Sequence, residues 1–150
     1  MKIIRAQRED LPEILQLQKL AFIKEAQLYN NFNIQPLTQS LEEIEVEYED
    51  KIVLKAEIDS NIVGSIRANM DGDDCWVTKL MVHPDFRKRG IGRGLMLEIE
   101  KYFPEAKKFK LGTGARSKNN IGLYESIGYK VVKYDRFHDG VEAVFMEKTT

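Results

Sequence analysis

Cysteine is almost missing from this chain: Cys75 is the only one in 150 residues, so no intrachain disulfide can staple the fold. Histidine is as scarce. His83 and His138 are far apart, so no metal-ligand spacing exists, and Cys75 lacks a nearby histidine to make it a nucleophile. Linkers rich in proline, glycine or serine are lacking too, as are internal repeats and low-complexity tracts, so one domain over residues 1–150 is expected. No apolar stretch approaches the roughly 20 residues of a membrane-spanning helix. Residues 1–25 carry charges throughout, with no hydrophobic region of a signal peptide. A cytoplasmic protein with no membrane partner is the expectation. Excess charge of one sign is also absent. Lys and Arg number 23 and Asp and Glu 24, for a net charge of −1, which argues against a nucleic-acid partner.

Against that neutral background one segment is locally basic and rich in glycine. It is Leu80-Met81-Val82-His83-Pro84-Asp85-Phe86-Arg87-Lys88-Arg89-Gly90-Ile91-Gly92-Arg93-Gly94-Leu95-Met96. A β-type apolar run ends at the proline, and a helix opens at Ile91 with Leu95, Ile99 and Tyr102 about one turn apart. The start of a helix has unsatisfied N–H groups and a partial positive charge. Glycines let bare backbone close around an anion. The segment therefore reads as a phosphate cradle with Arg87, Lys88, Arg89 and Arg93 beside it. The spacing excludes a P-loop, which needs Gly-Lys-Ser/Thr at its end. It also excludes the Gly-x-Gly-x-x-Gly of a dinucleotide fold, since Gly90, Gly92 and Gly94 give Gly-x-Gly-x-Gly.

A second pattern follows at Ser117-Lys118-Asn119-Asn120-Ile121-Gly122-Leu123-Tyr124-Glu125-Ser126-Ile127-Gly128-Tyr129. Ser117 is the candidate N-cap, and Gly128 suits the left-handed position that closes a helix. Ile121, Tyr124 and Ile127 share one face.

The remaining elements follow from periodicity. Residues 2–6 read as a first strand. Asp10 with Glu13 suggests a capping box, with a helix to about residue 25. Residues 26–37 read as a loop. Ser40 with Glu43 opens a second helix. Alternation at Ile52, Leu54, Ala56 and Ile58, then at Ile62, Gly64, Ile66, Ala68 and Met70, then over residues 75–82, predicts an antiparallel meander. Helix (about 91–103), strand (about 108–113) and helix (about 118–127) come next. A hairpin over Lys130 to Phe137 and Val141 to Glu147 turns at Asp139-Gly140. The strand–helix–strand unit implies one parallel pair, 75–82 beside 108–113.

Arg87-x-x-Gly90-x-Gly92 after a strand, together with Asn120-x-x-x-Tyr124-Glu125-x-x-Gly128-Tyr129, resembles the GNAT superfamily of N-acetyltransferases. The resemblance covers nearly the whole chain. It implies an α/β (α+β) fold with a mixed, mostly antiparallel sheet of about seven strands. Helices would cover both faces, and one parallel pair would be splayed to admit acetyl-CoA. It implies a direct acetyl transfer from acetyl-CoA to the amine of a small molecule or a peptide. The pyrophosphate would sit on the loop Arg87, Lys88, Arg89, Gly90, Ile91, Gly92, Arg93 and Gly94. Backbone groups near Met81 and Val82, with Asn120 (or its neighbour Asn119), would hold the pantetheine arm. Tyr124 would stand near the thioester sulfur as the proton donor. A homodimer is left open.

The chemistry sets two proton demands. An alkylammonium has a pKa of about 10, so only about one acceptor molecule in a thousand is reactive at neutral pH without a base. The departing thiolate needs a donor. Many family members carry a glutamate where this chain has Trp76. An ordered water, Glu57 or Asp74 is the expected substitute, and Trp76 is expected to wall the acceptor site with Phe22, Tyr29, Asn30, Asn31 and Phe32. A non-catalytic acyl-CoA-binding module is the alternative that the absent glutamate keeps open.

Overall fold

The switch from helical spacing to alternation after residue 51 and back at residue 91 is matched in a computed structural model describing residues 1–150. The elements are β1 (Lys2–Arg5), α1 (Leu11–Tyr29), α2 (Gln35–Thr38), α3 (Leu41–Asp50), β2 (Ile52–Ile58), β3 (Asn61–Asp71) and β4 (Asp74–Val82). Then come α4 (Ile91–Glu100), β5 (Lys108–Gly114), α5 (Lys118–Ser126), β6 (Lys130–Arg136) and β7 (Glu142–Thr149). The seven strands form one sheet in the order β1-β2-β3-β4-β5-β7-β6. Every neighbouring pair is antiparallel except β4 with β5.

Two apolar layers sandwich this sheet. On one face α1 and α3 bury Leu11, Ile14, Leu17, Ala21 and Ile44 against Val53, Ile62 and Met81. On the other, α4 and α5 bury Ile91, Leu95, Met96, Ile99 and Tyr124 against Leu54, Ile66, Val77, Leu111 and Met146. Leu95, Met96 and Ile99 are fully buried, each worth about 1.5–3 kcal/mol relative to exposure. They pin the helix whose first turn forms the basic loop's far wall.

Local signals held where side chains and backbone agree. Ser40 Oγ accepts from the Glu43 amide, and the Glu43 side chain accepts from the Ser40 amide, closing the box that starts α3. Gly128 takes φ 106° after α5. Three expectations need correction. Asp10 does not cap α1: its carboxylate accepts from the Gln7 amide of a preceding 3-10 turn and pairs with Lys55 Nζ at 2.9 Å. Glu13 instead accepts from the Ile62 amide. Ser117 makes no capping bond to α5; a carboxylate on α1 draws its hydroxyl away. Helix α1 also continues past residue 25 to Tyr29, ending where Asn30 turns left-handed at φ 48°. Within the expected loop 26–37 the short α2 forms, with Pro36 in its first turn, where its missing N–H is no loss.

Candidate active site

The site is made by a failure of pairing. Strands β4 and β5 are bonded only at Asp74–Lys108, Cys75–Phe109 and Trp76–Lys110. Beyond Trp76 they diverge, and β5 stays paired with β7 alone up to Gly114. On its other edge β4 is disturbed as well. Ser65 pairs with Met81 and Arg67 with Thr78, so Lys79 and Leu80 together face Ile66. That is a β-bulge, and Lys79 takes φ 56° to make it. The bulge turns the backbone within the stretch of β4 that β5 no longer pairs.

The basic loop closes one end. Pro84–Phe86 form a 3-10 turn in which His83 Nδ1 accepts from the Asp85 amide at 3.1 Å. The Phe86 ring packs edge-on to His83 and lies under the Arg89 guanidinium at 4.9 Å. Lys88 and Gly90 both have positive φ, 62° and 81°. Gly90 is the N-cap of α4 and offers no side chain to it. The first-turn N–H groups of Ile91, Gly92 and Arg93 are therefore left for an anion.

Together these walls enclose a cleft of about 660 Å³, a size suited to a large organic ligand. Met81, Val82, Arg87, Lys88, Gly90, Ile91, Gly92, Arg93 and Asn120 all line it, with Asn119 beside Asn120. Three of the residues singled out in the sequence for the cofactor or the chemistry, Arg89, Gly94 and Tyr124, stand outside the wall. Arg89 is spent on Phe86. Gly94 serves packing, for a Cβ there would lie 3.1 Å from Ile3 Cδ1. Arg87 has a second duty, its Nη2 donating to the Ala21 carbonyl at 3.0 Å and fastening the loop to α1. Tyr124, one turn beyond Asn120, is buried with its ring edge-on to Tyr129 at 6.2 Å. Burial, then the Glu25 carboxylate, holds its hydroxyl proton on well above the ordinary phenol range.

Sequence reasoning missed how far α1 contributes. Ala21, Phe22, Lys24, Glu25 and Leu28 form the roof. Glu25 Oε2 accepts from Ser117 Oγ at 2.6 Å, Ser117 Oγ contacts Tyr29 Oη at 2.9 Å, and Tyr29 Oη accepts from the Arg116 amide at 2.8 Å. Gly114 makes room for this chain, since a Cβ there would run into the Tyr29 hydroxyl. The carboxylates favoured from sequence are elsewhere. Glu57 pairs with Lys55 on β2, and Asp74 pairs with Lys110 at 2.9 Å; neither reaches the cleft. Trp76 packs edge-on to Phe145 with Lys110 over its face. The Phe32 side chain is exposed.

Solved structures share this architecture. The PaiA N-acetyltransferase of Thermoplasma acidophilum, in complex with coenzyme A, superimposes with a TM-score of 0.85 over 99% of this chain and 98% of that one, at 20% identity. The ribosomal-protein-S18-alanine N-acetyltransferase of Escherichia coli gives 0.78 over 99% and 92%, at 21% identity. Both are likenesses of fold. In sequence, an acetyltransferase of Pectobacterium atrosepticum is 35% identical over 92 residues, covering 60% of this chain and 65% of the relative. The match thus spans just under two thirds of that relative's length. A family model, the acetyltransferase (GNAT) domain, matches residues 19–150. That span takes in the splayed strands, the basic loop and the helix carrying Asn120 and Tyr124, and by it the chain belongs to the GNAT acetyltransferase family.

Proposed function

We propose that this protein transfers the acetyl group of acetyl-CoA directly to a primary amine. The observation that carries the reading is the cleft itself, a splayed parallel pair ending at a helix start that nothing in the protein caps. The residues present fit the donor. Lys24, Arg87, Lys88, Arg93, Arg116 and Lys118 surround the cleft, a cationic lining for a ligand with three phosphates. Gly90 and Gly92 keep the backbone at the anion's position bare. Acetyl-CoA supplies an activated acyl carbon and a thiolate leaving group.

This chain's residues then have separable tasks. The N–H groups of Ile91, Gly92 and Arg93 hold the pyrophosphate, with Arg87 and Lys88 adding charge. Met81 and Val82 offer strand backbone to the pantetheine arm on the edge that β5 vacates, and Asn120 hydrogen-bonds it. Backbone donors beside the Lys79–Leu80 bulge stand where an oxyanion develops. Tyr124 keeps its proton at every working pH, so it is always able to donate to the departing sulfur. It is a weaker acid than the thiol it would form. Its help is therefore the hydrogen bond that steadies the sulfur's charge, completed by a proton from the reacting nitrogen. A cytoplasmic setting agrees with the free, buried thiol of Cys75.

The second reading, an acyl-CoA-binding module without turnover, is favoured by Trp76 standing where the family resemblance calls for a glutamate. Thiol release from acetyl-CoA, followed across a panel of alkylamines and peptides with free N-termini, separates the two. The enzyme reading expects amine-dependent release with acetylated product identified by mass. Tight acetyl-CoA binding with no amine-dependent release would establish the module instead.

A further inference from the structure

The charged residues that line the cleft are cations with one exception. Glu25 is its only carboxylate, and it forms no ion pair. One of its oxygens is fixed by Ser117, itself buried, at 2.6 Å. The other oxygen has no hydrogen-bond partner in the protein. Directionality is settled at the carboxylate. The ionised Glu25 carboxylate can only accept, so the single Ser117 proton goes to Glu25, Ser117 accepts from the Tyr29 hydroxyl, and Tyr29 accepts from the Arg116 amide. Three donors in series thus point at one carboxylate. This favours its charged form and locks its rotamer, leaving one lone-pair face for a cation.

Position adds to this. Ser117 stands directly before α5, and Tyr124 is close enough for the Glu25 charge to act on its hydroxyl. A second, smaller cavity of about 190 Å³ is lined by Tyr29 and shares Arg116 with the cleft. Glu25 therefore faces the wall that carries Ser117 and Asn120, within electrostatic reach of the hydroxyl that would meet the thioester.

We propose that Glu25, held by Ser117 and Tyr29, is the carboxylate that binds the acceptor as an ammonium ion and takes its proton. This rests on the acetyltransferase reading above. The balance is as follows. Glu25 accepts one proton from the ammonium. The freed amine nitrogen bonds to the acyl carbon while the C–S bond breaks and its electron pair goes to sulfur. Tyr124 hydrogen-bonds the departing sulfur and relays to it the nitrogen's second proton, so the phenol ends as it began. Glu25 then releases the first proton to solvent, so one proton leaves per turnover. Protonating Glu25 also removes the negative charge that opposes proton loss at Tyr124, which couples the two ends of the reaction. The charged and titratable groups around Glu25 are Lys24 and Tyr29 on its own helix, Arg87 on the basic loop, Arg116 on the loop before α5, and Lys118 and Tyr124 on α5.

Glu25→Gln keeps the shape and the Ser117 hydrogen bond while removing the charge. Two readouts decide. In the protein saturated with coenzyme A, where no transfer can occur, the amines of the panel are titrated by NMR. At least one should bind the parent protein, and Glu25→Gln should weaken it tenfold or more with coenzyme A affinity within about twofold. In the acetyl-transfer assay, Glu25→Gln should lower kcat/KM by about 30-fold or more at pH 7. That deficit should shrink as pH rises towards the amine's pKa of about 10, where the amine arrives already neutral. Ser117→Ala, which frees the carboxylate to rotate, should show the same trend with a smaller deficit. Unchanged amine binding in Glu25→Gln, no amine bound by the parent, or a deficit that is the same at every pH would overturn the proposal. Glu25-dependent amine binding without acetyl transfer in the parent protein would keep the amine site and overturn the acetyltransferase reading.

Discussion

At the scale of single residues the account turns on atoms that make few bonds. Tyr124 is buried by the main core yet its hydroxyl makes no hydrogen bond in the protein. With no partner in the protein, that hydroxyl is free to bond a ligand's sulfur. Tyr124→Phe removes one oxygen and leaves the ring contact with Tyr129. Losing a single donor to developing charge typically costs about 10²–10³ in kcat. The expected outcome is a loss of that order in kcat, with acetyl-CoA affinity nearly unchanged, read by thiol release with a responsive amine. A variant retaining more than about half of kcat, with chemistry shown to limit the rate, would move the proton donor elsewhere. Gly92 gives a second test. A Cβ there meets Leu123 at 3.4 Å, an ordinary contact, so Gly92→Val should fold. Its branches would crowd the wall where backbone approaches the anion, and acetyl-CoA binding by calorimetry should weaken at least tenfold, about 1.4 kcal/mol. Unchanged affinity would remove the pyrophosphate from this turn.

Among elements, β4 carries both the left-handed Lys79 and the edge that opens the cleft. Its bulge places Lys79 against Glu47, Arg67 and Lys51. Arg67 is fully buried, donating to Glu47 at 2.8 Å, Gln39 at 3.2 Å and Gln18 at 2.6 Å. Burial, the largest single influence, opposes the charge of Glu47, but Arg67, the Gln39 hydrogen bond, Lys79 and Lys51 together outweigh it and hold the carboxylate below its ordinary range. For Lys79, burial comes first, and despite Glu47 it lowers the ammonium to about 8, with Arg67 and Lys51 adding repulsion. The sign follows from proton counts. Between about pH 8 and the unfolded value of 10.5 the unfolded chain holds this proton and the folded one does not, so stability rises with pH by up to about 1.4 kcal/mol per unit. Below about pH 8 both states are protonated, and the folded state carries a disfavoured charge. Lys79→Met should therefore raise the stability at pH 7 and flatten the slope between pH 8 and 10, as measured by urea denaturation. A slope unchanged in the variant would place the titration on another group.

Elements were also where sequence and structure parted. The meander, the parallel pair and the loop before α4 were legible because each is written in contiguous residues: alternation, turn residues, glycines before an apolar helix face. The Ser40–Glu43 box was legible for the same reason. The Asp10–Glu13 box failed because both carboxylates found partners on other strands, Lys55 and the Ile62 amide. Tertiary bonds replaced the local ones. Glu25 was invisible because its partner Ser117 lies in another element, and no spacing rule joins an α1 residue to the loop before α5. Arg89 and Gly94 were drawn into the cradle by composition. Only the geometry shows that one stacks on Phe86 and the other lets α4 approach β1.

Over the whole molecule, a net charge of −1 coexists with a cleft that has six cations and one carboxylate. The cationic field is local, so it should serve one compact anion and not a long polyanion. Duplex DNA is expected to bind weakly or not at all at physiological salt; a sub-micromolar complex weakening steeply with salt would contradict this. No helix is long and apolar enough to cross a membrane. The two sheet faces have different work. The α4–α5 side is a continuous core that anchors the basic loop and Tyr124, while the α1 side supplies the roof and Glu25.

A crystal structure of the complex with acetyl-CoA is the most direct test of this placement. The account expects the pyrophosphate within hydrogen-bonding distance of the N–H groups of residues 91–93. It expects the pantetheine arm along the open edge of β4 at Met81 and Val82, and the thioester sulfur at the Tyr124 hydroxyl with Glu25 across the acyl carbon. Acetyl-CoA bound outside the gap between β4 and β5, or with its thioester remote from both Tyr124 and Glu25, would contradict it.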